Sequence, residues 1–308
     1  MAELTPFGIA VRKLRLDKGL KLLDMAEKIG VTPSFLSAIE TGRKPIPGGF
    51  LTKISRSIPL SLEEISTLRK AIDRTRTEVR VNKKSEQDRE LIAAFARRLD
   101  DVPAEIIDEL RKIVMKSHSG EVPFRRKRKG IFVDPLSTSS IRAFAEKIRN
   151  IFVGENIIAF PIVEVLEWGL MKFDKEFVFD VQEASLLGAD EGRVPIREKQ
   201  LILREDVYVG ACKRNPRDIF TTAHEFAHYL MHRNISFART RDDHEKVYCD
   251  SEWQADTFAG TLLMSPRHAR LFKNSSEMAA ACGVSEVAAR VMWDKYASEG
   301  VLDQQLVR

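Results

Sequence analysis

His224, Glu225 and His228 stand in the string His224-Glu225-Phe226-Ala227-His228, where spacing alone names a chemistry. Histidines four apart on a helix are separated by about 6 Å of rise and face nearly the same way, so both imidazoles reach one ion. Glu225, one step round the helix, borders the same ion. This is the pattern of a zinc peptidase helix, and it calls for a third protein ligand with a fourth position left for water. His232 lies about 12 Å up the axis from His224 and cannot close on an ion that His224 holds. It is read as a supporting or structural residue. A third histidine six residues after the second is also excluded, because position 234 is Asn. The better candidate is downstream. In Ser251 to Met264 the apolar residues Trp253, Ala255, Phe258, Ala259, Leu262 and Leu263 mark a buried helix, and Glu252 and Asp256 share one face of it. A carboxylate at Glu252 can bind the ion, while Asp256 one turn on accepts the distal N–H of a ligating histidine and fixes its tautomer.

The elements that must hold these residues can be read from periodicity. Phe220, Ala223, Phe226, Ala227 and Leu230 form an apolar stripe at helical spacing, and Pro216 and Asp218 supply start signals. Histidine and glutamate on such a helix are costly to bury unless paired or bound to a metal. Upstream, 140–152 and 161–171 read as helices, and 176–181, 193–196, 200–203 and 207–211 as short strands. A small sheet flanking the metal helix would offer an edge strand for an extended peptide, so this half is expected to be an α+β catalytic domain. Tyr208, Tyr229, His232 and Tyr248 all remain open as the group that stabilises an oxyanion.

These residues resemble the ImmA/IrrE-type metallopeptidases, whose pattern is a phenylalanine-threonine lead into H-E-x-x-H and then E-x-x-A-[ND]-x-F-A-x-x-L-L-M. The matching residues are Phe220-Thr221, His224 to His228, and Glu252 through Met264. Pro266 falls one residue later than the usual M-P, and Gln254 stands where many members carry a second glutamate. The resemblance extends over residues 134 to 300. It implies a zincin-like fold, His224, His228 and Glu252 as ligands of Zn2+, and Glu225 as the general base. Related peptidases cut helix-turn-helix repressors, so it also implies a protein substrate, a repressor or the chain itself.

The other end of the chain carries a second signal. Phe7, Val11 and Leu14 form the apolar face of a first helix that Gly19 ends, and a second helix follows at Leu22 to Ile29. Gly30-Val31-Thr32-Pro33 then makes a turn, with Thr32 as N-cap and Pro33 as first residue of a third helix, Ser34 to Thr41. Phe35, Leu36 and Ile39 point inward, while Ser34, Ser37 and Thr41 lie on the opposite face. Small polar residues there suit a helix that enters the major groove, and Arg43 and Lys44 supply positive charge where phosphates would lie. Residues 7 to 75 look like the Xre/Cro helix-turn-helix family, with Leu22 where that family often has glutamine. The resemblance implies that Ser34 and Ser37 face bases, that Arg43 and Lys44 face the backbone, and that the partner is double-stranded DNA.

Charge follows the same division: residues 1 to 80 carry a net charge of +6 and residues 135 to 308 a net charge of −4. The expected layout is therefore multidomain and mainly α. It comprises an all-α helix-turn-helix bundle at 1–75, a helical hairpin and basic linker at 76–133, and the peptidase domain at 134–308. Within the middle segment two amphipathic stretches, 85–99 and 103–114, either pair between subunits of a homodimer or pack on the first domain. A run of basic residues, 125–129, reads as a solvated linker. Ala279 to Ser285 echoes Ala26 to Thr32 and suggests a second helix-turn-helix shape, suited to packing or partner binding.

Only three cysteines occur, without paired spacing, and no apolar run is long enough to span a bilayer. A reducing cytoplasm and no membrane contact are expected. Two functional readings follow. The first is a DNA-binding transcriptional regulator carrying a zinc endopeptidase, acting in a stress, phage or mobile-element response. The second is a non-catalytic regulator that uses the peptidase fold to sense a ligand or partner, or an antitoxin-like DNA-binding protein.

Overall fold

The computed structural model describes residues 4–77, 133–195, 198–233 and 247–302. The expected hairpin and basic run at 85–129 lie outside the described residues. Five helices open the chain: α1 (Pro6–Asp17), α2 (Leu22–Ile29), α3 (Pro33–Glu40), α4 (Phe50–Ser57) and α5 (Leu62–Thr77). Their apolar stripes close around Phe7, Val11, Met25, Leu36, Ile39 and Ile54, all buried. Gly30 ends α2 at φ +63°, a conformation a side chain would strain, and the chain turns there into α3. The Thr32 hydroxyl accepts the Phe35 N–H at 3.1 Å, capping α3, and Pro33 takes its first position.

The second part begins with α6 (Thr138–Phe152). Next comes α7, which starts as Ile162–Glu164, widens to a π turn over Val165–Gly169 and tightens to a 3-10 turn at Leu170–Lys172. A three-stranded sheet follows, formed by β1 (Val178–Gln182), β2 (Gly192–Arg193) and β3 (Gln200–Arg204), with the short α8 (Ala184–Leu187) after β1. The strand order is β1-β3-β2. β1 runs parallel to β3, with Val178 opposite Gln200, and β2 antiparallel, with Gly192 opposite Leu203. Both outer strands therefore have one unpaired edge within this sheet.

One expectation is overturned. The run 207–211 is not a strand but lies in α9 (Glu205–Cys212). Val207, Tyr208 and Ala211 are buried at helical spacing, and Glu205 and Asp206 sit in the first turn, where carboxylates favour a helix start. A short apolar run does not separate helix from strand by itself.

The two helices that carry the chemistry are α10 (Pro216–Met231) and α11 (Ser251–Leu263). They pack through Phe226 and Phe258, whose ring centroids are 6.4 Å apart, and α6 adds Phe144 at 5.5 Å from Phe258. After the short α12 (Pro266–Ala269), α13 (Ser275–Cys282) and α14 (Glu286–Ser298) are joined through Gly283 at φ +70°. This repeats the helix, glycine turn, helix shape of α2 and α3. Met278, Cys282, Ala289 and Tyr296 turn inward, and the Tyr296 hydroxyl donates to the Met264 carbonyl at 2.6 Å, so the pair closes over the end of α11.

Candidate metal centre and nucleic-acid face

Asn215 caps α10 by accepting the Arg217 N–H at 3.0 Å. The helix then buries Thr222, Ala223, Phe226, Ala227 and Tyr229 and leaves His224, Glu225 and His228 half-buried on another face. Asp250 caps α11 by accepting the Glu252 N–H at 2.8 Å, which sets Glu252 in the first turn and aims it across at the histidines. Three ligand atoms gather there. His224 Nε2 lies 3.0 Å from His228 Nε2 and 3.2 Å from Glu252 Oε2, and His228 Nε2 lies 3.4 Å from Glu252 Oε1. Ligands at tetrahedral angles about 2.0–2.2 Å from zinc stand about 3.3–3.6 Å apart, so the donor set fits that ion and its spacing needs only a few tenths of an ångström of adjustment. Among the described residues this is the only group of this kind that could hold a metal. Cys249 is buried and is not part of it.

The hydrogen bonds behind these atoms decide which nitrogen each ring presents. The Gln254 amide donates to the carbonyls of Asp134 at 2.9 Å and Tyr248 at 2.8 Å, which turns its oxygen toward His232 Nε2 at 3.0 Å. His232 therefore carries its proton on Nε2. Its Nδ1, 3.0 Å from His228 Nδ1, accepts, and His228 is left with a bare Nε2. Burial keeps His232 neutral by pushing its pKa down to about 4. On the other side Asp256 Oδ1 takes the His224 Nδ1–H at 2.8 Å, so His224 also presents Nε2.

Burial opposes a charge on His224, but Asp256 and Glu252 outweigh it and raise its pKa to about 10. The hydrogen bond that His224 gives when its Nε2 carries a proton holds the Glu252 carboxyl well below the usual range. A proton thus competes with a cation for His224 Nε2, and a bound cation displaces it.

Glu225 lies beneath β2. A Cβ built on Gly192 would stand 2.5 Å from Glu225 Cγ, so no other residue fits at 192 without moving that carboxylate. Reading the strand from residue 193 onward missed this contact, and the glycine next to Glu191 was the signal. Gln254 was legible only as a departure from the family pattern, whereas its amide sets the orientation of His232. Of the tyrosines left open for the oxyanion, Tyr208 is fully buried and gives its hydroxyl to Glu167 at 2.6 Å, and the Tyr229 hydroxyl accepts from Arg233 at 2.6 Å.

The residues expected to face DNA are placed differently. Ser34 and Ser37 do lie opposite Leu36 and Ile39, yet they are only 2% and 1% exposed. β1 covers them. Ser37 Oγ donates to Asp180 Oδ1 at 2.7 Å and accepts the Val181 N–H at 3.0 Å. Arg43 pairs with the same Asp180 oxygen at 2.6 Å, and Lys44 with Glu183 at 3.1 Å. Thr32 is exposed, its hydroxyl engaged as the cap of α3.

Two family models match the chain. Residues 175–294 match the IrrE N-terminal-like domain of the M78 peptidases, and residues 11–65 match the helix-turn-helix. Nothing matches among curated proteins or among solved structures. No helix among the described residues is long and apolar enough to cross a membrane.

Proposed function

From a chain that joins an Xre-type helix-turn-helix to an ImmA/IrrE-type peptidase domain, we propose a DNA-binding regulator that is also a zinc-dependent endopeptidase. Its substrate is a protein, a helix-turn-helix repressor or a second copy of this chain, and it works as a homodimer on DNA half-sites. The observation that carries the peptidase reading is the convergence of His224 Nε2, His228 Nε2 and a Glu252 oxygen within 4.8 Å of one another, with Glu225 on the same helix.

Zinc held by two histidines and one carboxylate supplies an acidified water and a Lewis acid for the scissile carbonyl. The remaining work falls to side chains of the chain. Glu225 takes the proton of the attacking water and passes it to the leaving amine. Asp256 and the Gln254–His232 pair keep both histidines in the Nε2-presenting form. β2, antiparallel to β3 and lying over Glu225, offers its outer edge to an extended peptide, whose main chain would pair there as an added strand.

The test compares the purified wild type with Glu225→Gln. Both are loaded with zinc and incubated with candidate helix-turn-helix repressors and with unlabelled chain, and products are followed by mass spectrometry. Cleavage by the wild type alone, with equal zinc in both, supports the reading. Equal zinc and no cleavage of any candidate by the wild type favours a sensing role for the fold.

A further inference from the structure

The helix-turn-helix meets DNA in a known manner: residues near the start of its second helix reach base edges, while helix N-termini and basic side chains hold phosphates. In this chain several of those groups already hold an acceptor from the peptidase domain. At the N-terminus of α2, the Leu22 N–H donates to Glu167 at 2.9 Å and the Leu23 N–H to the Tyr208 hydroxyl at 3.0 Å. At the N-terminus of α3, the Ser34 N–H donates to Glu205 at 3.1 Å. Ser37 and Arg43 converge on Asp180, and Lys44 on Glu183. Helix N-termini and basic side chains are where DNA would place phosphates, and here carboxylates occupy them.

The same contacts serve the sheet. β1 is an edge strand, and its outward groups are met by the helix-turn-helix: the Phe179 carbonyl by Arg12, the Val181 N–H by Ser37, and the Val181 carbonyl by Arg43. Space closes the matter. A helix about 10–12 Å across fills a major groove about 12 Å wide, so α3 cannot enter DNA with a strand lying on its reading face.

We propose that the carboxylate face of the peptidase domain, Glu167, Asp180, Glu183 and Glu205, masks the DNA-reading face of the helix-turn-helix, so that DNA binding and docking of the two domains exclude each other. Its hydrogen bonds and ion pairs suit reversal, because water replaces them on opening, while the apolar residues of the two parts, which form one buried cluster, favour the closed state. The inference rests on the DNA-binding half of the proposed function. Anything that holds the domains together lowers DNA affinity, the apparent affinity being the intrinsic one multiplied by the fraction of chain that is open.

Two measurements on the whole chain test it. In the first, amide hydrogen exchange is followed in the wild type with and without a saturating random-sequence duplex. The Val181 amide lies on the peptidase side and is protected by Ser37. The duplex should speed its exchange. In the second, fluorescence anisotropy compares wild type with the triple substitution Asp180→Asn, Glu183→Gln, Glu205→Gln across a range of salt. The substituted chain should bind at least about tenfold more tightly and with a steeper salt dependence.

A duplex that binds while Val181 stays protected overturns the masking and leaves the DNA-binding reading intact. So does a substituted chain that exchanges freely at Val181 yet binds no better than wild type. If neither protein binds the duplex although the substituted one has opened, both readings fall. Should the triple substitution fold poorly, the exchange experiment on the wild type decides alone.

Discussion

Between α10 and α11 two imidazole nitrogens and a carboxylate oxygen, all acceptors once the rings are neutral, face one another at 3.0–3.4 Å. On α3 and the loop after it, the donors of Ser37, Arg43 and Lys44 face acceptors of the same chain. The first set is complete only with something positive among its members, a proton or a metal. The second is complete as it stands. Both regions announce themselves in the same way, as polar residues at helical spacing beside an apolar stripe. What separates them is the sign of the groups opposite.

The largest expected effect falls on the metal side. Glu225→Gln should retain zinc and lose turnover by roughly 10²- to 10⁴-fold, read as cleavage rate against metal content. On the docked side, Glu167→Ala removes one of the two carboxylates that pair with Arg15, the one at 2.5 Å, and takes the acceptor from both the Leu22 N–H and the Tyr208 hydroxyl. A denaturant titration should show a loss of roughly 3 kcal/mol. Zinc affinity per folded molecule should be unchanged, and a parallel loss there would merge two regions held separate here.

Smaller effects sharpen the metal side. Asp256→Asn and His232→Ala each release one ring from its tautomer, and chelator competition should show zinc affinity down roughly 10- to 100-fold. Zinc uptake displaces the proton that Asp256 and Glu252 hold on His224, whose pKa is raised to about 10. Affinity should therefore rise with pH below that value, about tenfold per unit for one displaced proton, and level off above it. The smallest effect is Thr32→Ala. That change removes the cap of α3 and should cost about 1 kcal/mol in a thermal or denaturant melt, with zinc affinity unaltered.

Much of this is legible in local spacing. α2 spans the expected residues, Thr32 caps α3, and the candidate ligands His224, His228 and Glu252 come together from two helices whose apolar stripes are plain in the sequence. Contacts between distant segments were not legible. Residues 207–211 have strand-like composition and are helical, because burial at helical spacing and the two acids of the first turn prevail. Nothing within α3 tells that β1 lies on it. Only Asp180, a lone carboxylate in the run Phe177 to Val181, hinted at the contact, since a charge in a buried strand must have partners. Gln254 and Gly192 were hidden for the same reason: one acts through His232, the other by having no side chain over Glu225.

The most direct test of the metal centre is the zinc content of the purified chain and of its His228→Ala form after dialysis against metal-free buffer. An equivalent of zinc kept by the wild type and lost by the substituted chain is the expected result. A wild-type chain that takes up no zinc even when loaded with it contradicts the assignment of His224, His228 and Glu252.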